Sequence, residues 1–221
     1  MLKIGVRLPR RFDDAGEYLA DARALDAAGV DSLWLDDTGL DPWLLLAAIA
    51  AVTGRARLVA PVTPTDGRAR DSLRERFQAL HRLSRGRAAL LVVDAPPVGV
   101  QAIVEAARDV TACVMLQVVS ENVAKQFRDS VSGVVAAADS ADGYRSIVET
   151  TARDCTDAGR SFEAWATIAM PDDRTGWRNA HAEYEAAGAT GLIVPADPRL
   201  LDLLRNGDQE EDRVDLNLAQ G

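Results

Sequence analysis

The feature that most constrains this chain is a set of eight short apolar runs separated by segments of helical character. The runs cover residues 2–8, 32–35, 58–62, 88–93, 112–119, 131–137, 164–170 and 191–194. Each is rich in Val, Ile, Leu or Ala, and short continuous apolar runs suit strands covered on both faces. Consecutive runs start about one strand–helix unit apart. Eight such units predict an α/β fold, a minimal (β/α)8 TIM barrel with eight parallel strands. The length of 221 residues fits the lower end of that architecture. No linker divides the chain, so residues 1–205 read as a single barrel domain and residues 206–221, polar and mostly acidic, as a tail.

The junctions repeat as well. Gly29 and Gly188 each follow a helical pattern and precede a strand, and Gly54, Gly86 and Gly159 mark similar returns. Glycine just past a helix end is expected in the left-handed conformation that satisfies the last carbonyls. Helix 15–28 should turn Leu19, Ala22, Leu25 and Ala28 inward, and helix 70–83 should do so with Leu73, Phe77, Leu80 and Leu83. Asp41-Pro42 reads as an N-cap followed by proline in the first turn. The helix that follows, 43–52, is apolar all round. The outer helix of a barrel should show water a polar face, so this helix predicts a homodimer interface within residues 42–84, to be broken by Leu46→Glu.

Composition removes several classes of partner. A net charge of −9 disfavours nucleic acid and anionic membranes. The longest apolar helical stretch, 43–52, falls well short of the roughly 20 residues of a membrane span. Residues 1–8 run straight into a strand pattern rather than a leader, and Cys113 and Cys155 read as buried reduced thiols, so a cytoplasmic location is expected.

Residues 25–37 (LDAAGVDSLWLDD), 41–58 (DPWLLLAAIAAVTGRARL) and 80–93 (LHRLSRGRAALLVV) resemble the bacterial-luciferase-like superfamily, as does the stretch 171–204. The resemblance implies a (β/α)8 oxidoreductase or monooxygenase that uses FMN or a deazaflavin and dimerises through helices in the region 43–83. There are departures. Many deazaflavin members carry an acidic residue and then histidine after the second strand, where this chain has Asp36-Asp37-Thr38. Members usually have glycines after the fourth strand, where this chain has Val93-Asp94-Ala95-Pro96-Pro97. The long insertions that wall the family's flavin pocket have no room at this length.

Barrel chemistry sits at the C-terminal ends of the strands. The histidines, His81 and His181, fall on helical segments, which disfavours a His-based zinc site or a Ser-His-Asp triad. Neither Lys3 nor Lys125 ends a strand, which disfavours a Schiff base. No dinucleotide or phosphate-loop fingerprint is present. A ring of Asp36, Asp37, Asp94, Glu121, Asp139 and Asp172 would make the mouth electronegative; no spacing among them selects a metal. Arg7, Arg10 and Arg11 form the dense basic cluster at that end and, with Arg174, are the candidates for a cofactor phosphate. Thr63 is a candidate contact to a ring lying over the barrel. Asp36 and Asp37 are the candidate general acid/base residues, although neighbours on a strand point to opposite faces and at most one can face the lumen. A plainer alternative pairs Arg7 with Asp36 or Asp37 across adjacent strands and leaves Arg10 and Arg11 solvated. Two functions are therefore open. The chain is a reduced flavin or deazaflavin oxidoreductase acting on a small organic substrate, or it is a dimeric barrel that has lost its cofactor and serves as a binding or accessory protein.

Overall fold

The computed structural model describes residues 2–9, 11–36, 40–63, 70–94, 96–107, 110, 113–137, 140–159 and 161–206. The tail, apart from Asn206, lies outside the described residues. Strands and helices alternate without exception. They are β1 (Lys3–Arg7), α1 (Ala15–Ala27), β2 (Ser32–Trp34), α2 (Pro42–Val52), β3 (Arg57–Val62), α3 (Arg70–Leu83), β4 (Ala88–Val92) and α4 (Pro97–Ala107). There follow β5 (Val114–Val118), α5 (Glu121–Phe127), β6 (Gly133–Ala137), α6 (Ala141–Asp157), β7 (Glu163–Thr167), α7 (Arg174–Ala186), β8 (Gly191–Pro195) and α8 (Leu200–Asn206). Every strand pairs in parallel with its chain neighbours, and β8 returns to β1, so the sheet closes as the expected (β/α)8 barrel.

Inside the closed sheet, register and alternation stack the inward side chains in layers drawn from alternate strands. The central layers are Gly5, Val59, Met115 and Trp165, then Trp34, Leu91, Val135 and Ile193, and the large members pack as one buried cluster. Trp34 and Trp165 meet edge to face at 5.4 Å. Their bulk is accommodated by glycine: a Cβ on Gly5 would collide with the Trp34 indole, and one on Gly191 with the Trp165 ring. The second, larger core lies between the strands' outer faces and the helices.

The helix ends follow their sequence signals, with exceptions. Asp14, Asp41 and Asp173 cap α1, α2 and α7 through backbone N–H groups of Glu17, Trp43 and Gly176. Gly29, Gly86, Gly159 and Gly188 have positive φ as expected, but Gly54 does not. There the chain turns on the buried Asp26, whose carboxylate accepts the N–H groups of Gly54, Arg55 and Ala56 at 2.7–2.9 Å. Burial alone would raise the Asp26 carboxyl, but these bonds and the Arg87 charge hold it below its ordinary value. The inward stripe of α1 uses Tyr18 with Ala22 and Leu25, because Leu19 is only half-buried. Leu83, expected inward, is 59% exposed. Leu46 is fully buried, so Leu46→Glu would attack the core; Leu44, 72% exposed, is the outward leucine of α2. Among the described residues no helix is long and apolar enough to cross a membrane.

Candidate active site

The two ends of the lumen are built differently. At the N-terminal end, Lys3, Arg57, Cys113 and Glu163 come from β1, β3, β7 and the residue before β5. Glu163 accepts from Lys3 Nζ at 2.7 Å, from Arg57 Nη1 at 2.7 Å and Nη2 at 3.2 Å, and from Trp165 Nε1 at 2.9 Å. Burial would raise the Glu163 carboxyl, yet these donors outweigh it and hold it at about 2. Burial also pushes the Cys113 thiol up, which disfavours a reactive thiolate. This end is closed by groups that satisfy one another.

At the C-terminal end the inward layers are Arg7, Pro61, Gln117 and Thr167, then Asp36, Val93, Ala137 and Pro195. Gln117, Ala137 and Pro195 are exposed although they continue the inward rows of Met115, Val135 and Ile193, which are buried. The lumen therefore opens to solvent directly above the tryptophan pair. The mouth has two arcs. On β7, β1 and the end of β2, Arg7 Nε stands 3.5 Å from Asp36 Oδ1, and Arg7 Nη2 donates to Thr167 Oγ1 at 3.4 Å. On β3 to β6 the inward groups are Pro61, Val93, Gln117 and Ala137, with Val119 81% exposed just beyond β5. Among the described residues this arc is apolar apart from Gln117 and Thr63, which follows β3.

Asp94, two residues past β4, has φ 46°, the left-handed conformation that glycine ordinarily supplies. The sequence departs from the family's glycine here, yet the backbone takes a conformation that glycine favours.

Of the residues singled out by sequence, the structure brings Arg7 and Asp36 together at the mouth, as the plainer alternative anticipated. Thr63 follows β3 at the same end and is half-buried. Arg11 is exposed and has no ion pair among the described residues. Arg174 opens α7 and pairs with Asp202 of α8 at 2.9 Å. Asp37 and Arg10 lie outside the described residues, as does Asp139. The anticipated ring of carboxylates is partly neutralised: Asp36 stands against Arg7, and Glu121 pairs with Lys125 on α5. No group of three or more His, Cys, Asp or Glu that could hold a metal is present among the described residues. Gln117 and Thr167 were missed, because the runs at β5 and β7 read as longer than the strands are. Their signal was available: each is a polar residue at inward parity near a strand's C-terminal end.

Residues 3–109 match the family model described as luciferase-like monooxygenase. The fold matches that of coenzyme F420 dependent tetrahydromethanopterin reductase from Methanopyrus kandleri, with TM-score 0.75 and 12% identity over 94% of this chain and 97% of that one. It also matches an F420-dependent secondary alcohol dehydrogenase bound to an F420-acetone adduct, with TM-score 0.70 and 13% identity over 93% and 96% of the two chains. A third match is the oxygenating constituent of 3,6-diketocamphane monooxygenase from Pseudomonas putida, in complex with FMN. Its TM-score is 0.66 and its identity 12%, over 91% of this chain and 94% of that one. No curated protein matches in sequence. The resemblance to the luciferase-like superfamily thus holds by sequence over residues 3–109, and the solved structures share the barrel fold over most of the chain.

Proposed function

We propose that this protein is a luciferase-like oxidoreductase or monooxygenase that takes FMN or the deazaflavin coenzyme F420 over the open end of its barrel and acts on a small organic substrate. The observation that carries this reading is the exposure of inward-facing residues at one end of an otherwise filled lumen, in a chain whose first half matches the luciferase-like model. The donor set fits such a group. The apolar arc offers a surface for a flat ring, Gln117 and Thr63 offer hydrogen bonds, and Arg7 and Arg11 offer positive charge to a phosphate. Arg10 and Arg174 complete the basic set, Arg174 after release from Asp202. One of the pair Asp36 and Asp37 is assigned to the ring's vicinity as the general acid/base residue. A bound flavin or deazaflavin supplies the redox chemistry, while the protein orients it and sets the local field.

A dimer through α2 and α3 belongs to the same reading. Leu40, Leu44 and Leu83 are exposed on that side, at 53%, 72% and 59%. A cytoplasmic location is supported by the two free thiols, Cys113 and Cys155. The second reading, a barrel without cofactor that binds a partner, is favoured by the mutual satisfaction of Arg7, Asp36 and Thr167. The visible spectrum of the purified protein and its titration with FMN and with F420 separate the two. Binding of either cofactor near micromolar concentration supports the enzyme, and binding of neither supports the accessory protein. Light scattering tests the interface: a dimer that becomes monomeric in Leu44→Glu is expected, and a monomeric wild type contradicts it.

A further inference from the structure

Gln117 stands apart from the other inward-facing polar residues of the barrel. At the N-terminal end Lys3 and Arg57 both donate to Glu163, and above them Ser32 accepts from the Trp34 indole at 2.8 Å. At the mouth Arg7 is shared by Asp36 and Thr167, and Thr63 and Cys113 are also engaged. Gln117 has no hydrogen-bond partner among the described residues, and it is exposed. Its strand, β5, lies diametrically opposite β1 in the ring of eight, so it faces the Arg7 arc across the opening. It is flanked by Val93, Val119 and Ala137, none of which can hydrogen-bond through its side chain.

We infer that Gln117 is the residue that recognises the heterocycle bound in the mouth, by pairing its amide with a ring edge that carries both a carbonyl and an N–H group. This rests on the cofactor reading above and deepens it. A primary amide presents one acceptor and two donors within a single plane. That set is complementary to the pyrimidinedione edge, which alternates C=O, N–H and C=O and is common to FMN and F420. A carboxylate would offer acceptors alone, and an ammonium or guanidinium donors alone. The apolar neighbours of Gln117 receive the ring face, so its amide is left to fix orientation in the plane. Gln117 is thus a positioning residue for either cofactor.

The test is titration of the full chain and of the variants Gln117→Leu and Gln117→Glu with FMN and with F420. Ring absorbance and fluorescence report binding, and thermal unfolding without cofactor reports the fold. The wild type is expected to bind at least one of the two. Gln117→Leu should weaken that binding about tenfold, because the ring edge loses its partners. Gln117→Glu should weaken it at least as much, because the donors are gone and a negative charge replaces them. Unfolding should be unchanged in both variants, since the Gln117 side chain makes no hydrogen bond among the described residues. If the wild type binds and either variant binds equally well, the assignment of Gln117 is overturned while the cofactor reading stands. If the wild type binds neither cofactor, both fall.

Discussion

The two ends of one barrel show how a single scaffold separates stability from recognition. At the N-terminal end three side chains close on Glu163 with four bonds of 2.7–3.2 Å: Lys3 and Arg57 from strands distant in sequence, and Trp165 from the same strand. At the C-terminal end the inward polar groups are sparser and looser. Arg7 reaches Asp36 and Thr167 at 3.5 and 3.4 Å, and Gln117 reaches nothing among the described residues. Between them lies the tryptophan pair, seated on glycines. Short, saturated contacts at one end leave little for a ligand to replace. Longer ones at the other can be exchanged for ligand contacts at smaller cost.

The largest expected effect comes from opening the closed end. Glu163→Ala leaves Lys3 and Arg57 without their shared acceptor and should lower unfolding stability by about 2–3 kcal/mol. That is less than for a fully buried pair, because the Lys3 side chain is 41% exposed. Denaturant unfolding measures it; a loss under 0.5 kcal/mol, well below that estimate, would remove the claimed asymmetry between the ends. The same carboxylate predicts a pH dependence. Its folded value of about 2 lies below the ordinary 4.5, so its contribution is complete above about 4.5 and is lost as pH falls toward 2. In Glu163→Gln the stability profile should be flatter across that window.

Next in size is the packing between the ends. Gly191→Ala sets a methyl against the Trp165 ring and should cost about 1–3 kcal/mol, read by denaturant unfolding. Wild-type stability in that variant would mean that the tryptophan layer is loosely packed.

At the mouth the expected effects on stability are smaller. Asp94→Gly relieves a left-handed backbone at φ 46° while adding glycine's freedom to the unfolded chain, so stability should rise by at most about 1 kcal/mol. A clear loss would show that the Asp94 side chain supports the loop. Asp36→Asn removes the charge of a partly exposed ion pair and should change stability by under about 1 kcal/mol. A change as large as that of Glu163→Ala would equalise the two ends and break the comparison.

Much of the fold was legible along the chain, because its signals are local. Apolar runs marked the strands, Asp41-Pro42 marked a helix start, and Gly29, Gly86, Gly159 and Gly188 marked returns. What escaped depends on closure. The bond from Lys3 to Glu163 joins residues 160 positions apart, and nothing near either residue announces it. Asp26 reads as one more acidic helix residue until the chain brings Gly54, Arg55 and Ala56 onto its carboxylate. The candidate site was legible in part. Arg7 and Asp36 follow from adjacent strand ends, whereas Gln117 and Thr167 require knowing where β5 and β7 stop and which parity faces inward. Periodicity fixes strand ends to within a few residues, and at a barrel mouth those few residues are the site.

The central claim is that ligand binds at the open end and the closed end does not respond. Amide hydrogen exchange with and without saturating FMN or F420 tests it most directly. The account predicts slower exchange on cofactor addition in the segments after β1, β4, β5 and β7, around residues 8–12, 93–97, 118–122 and 168–172, and no change around residues 2–4, 56–58 and 162–164. Protection at the closed end, or none at the mouth, would contradict it.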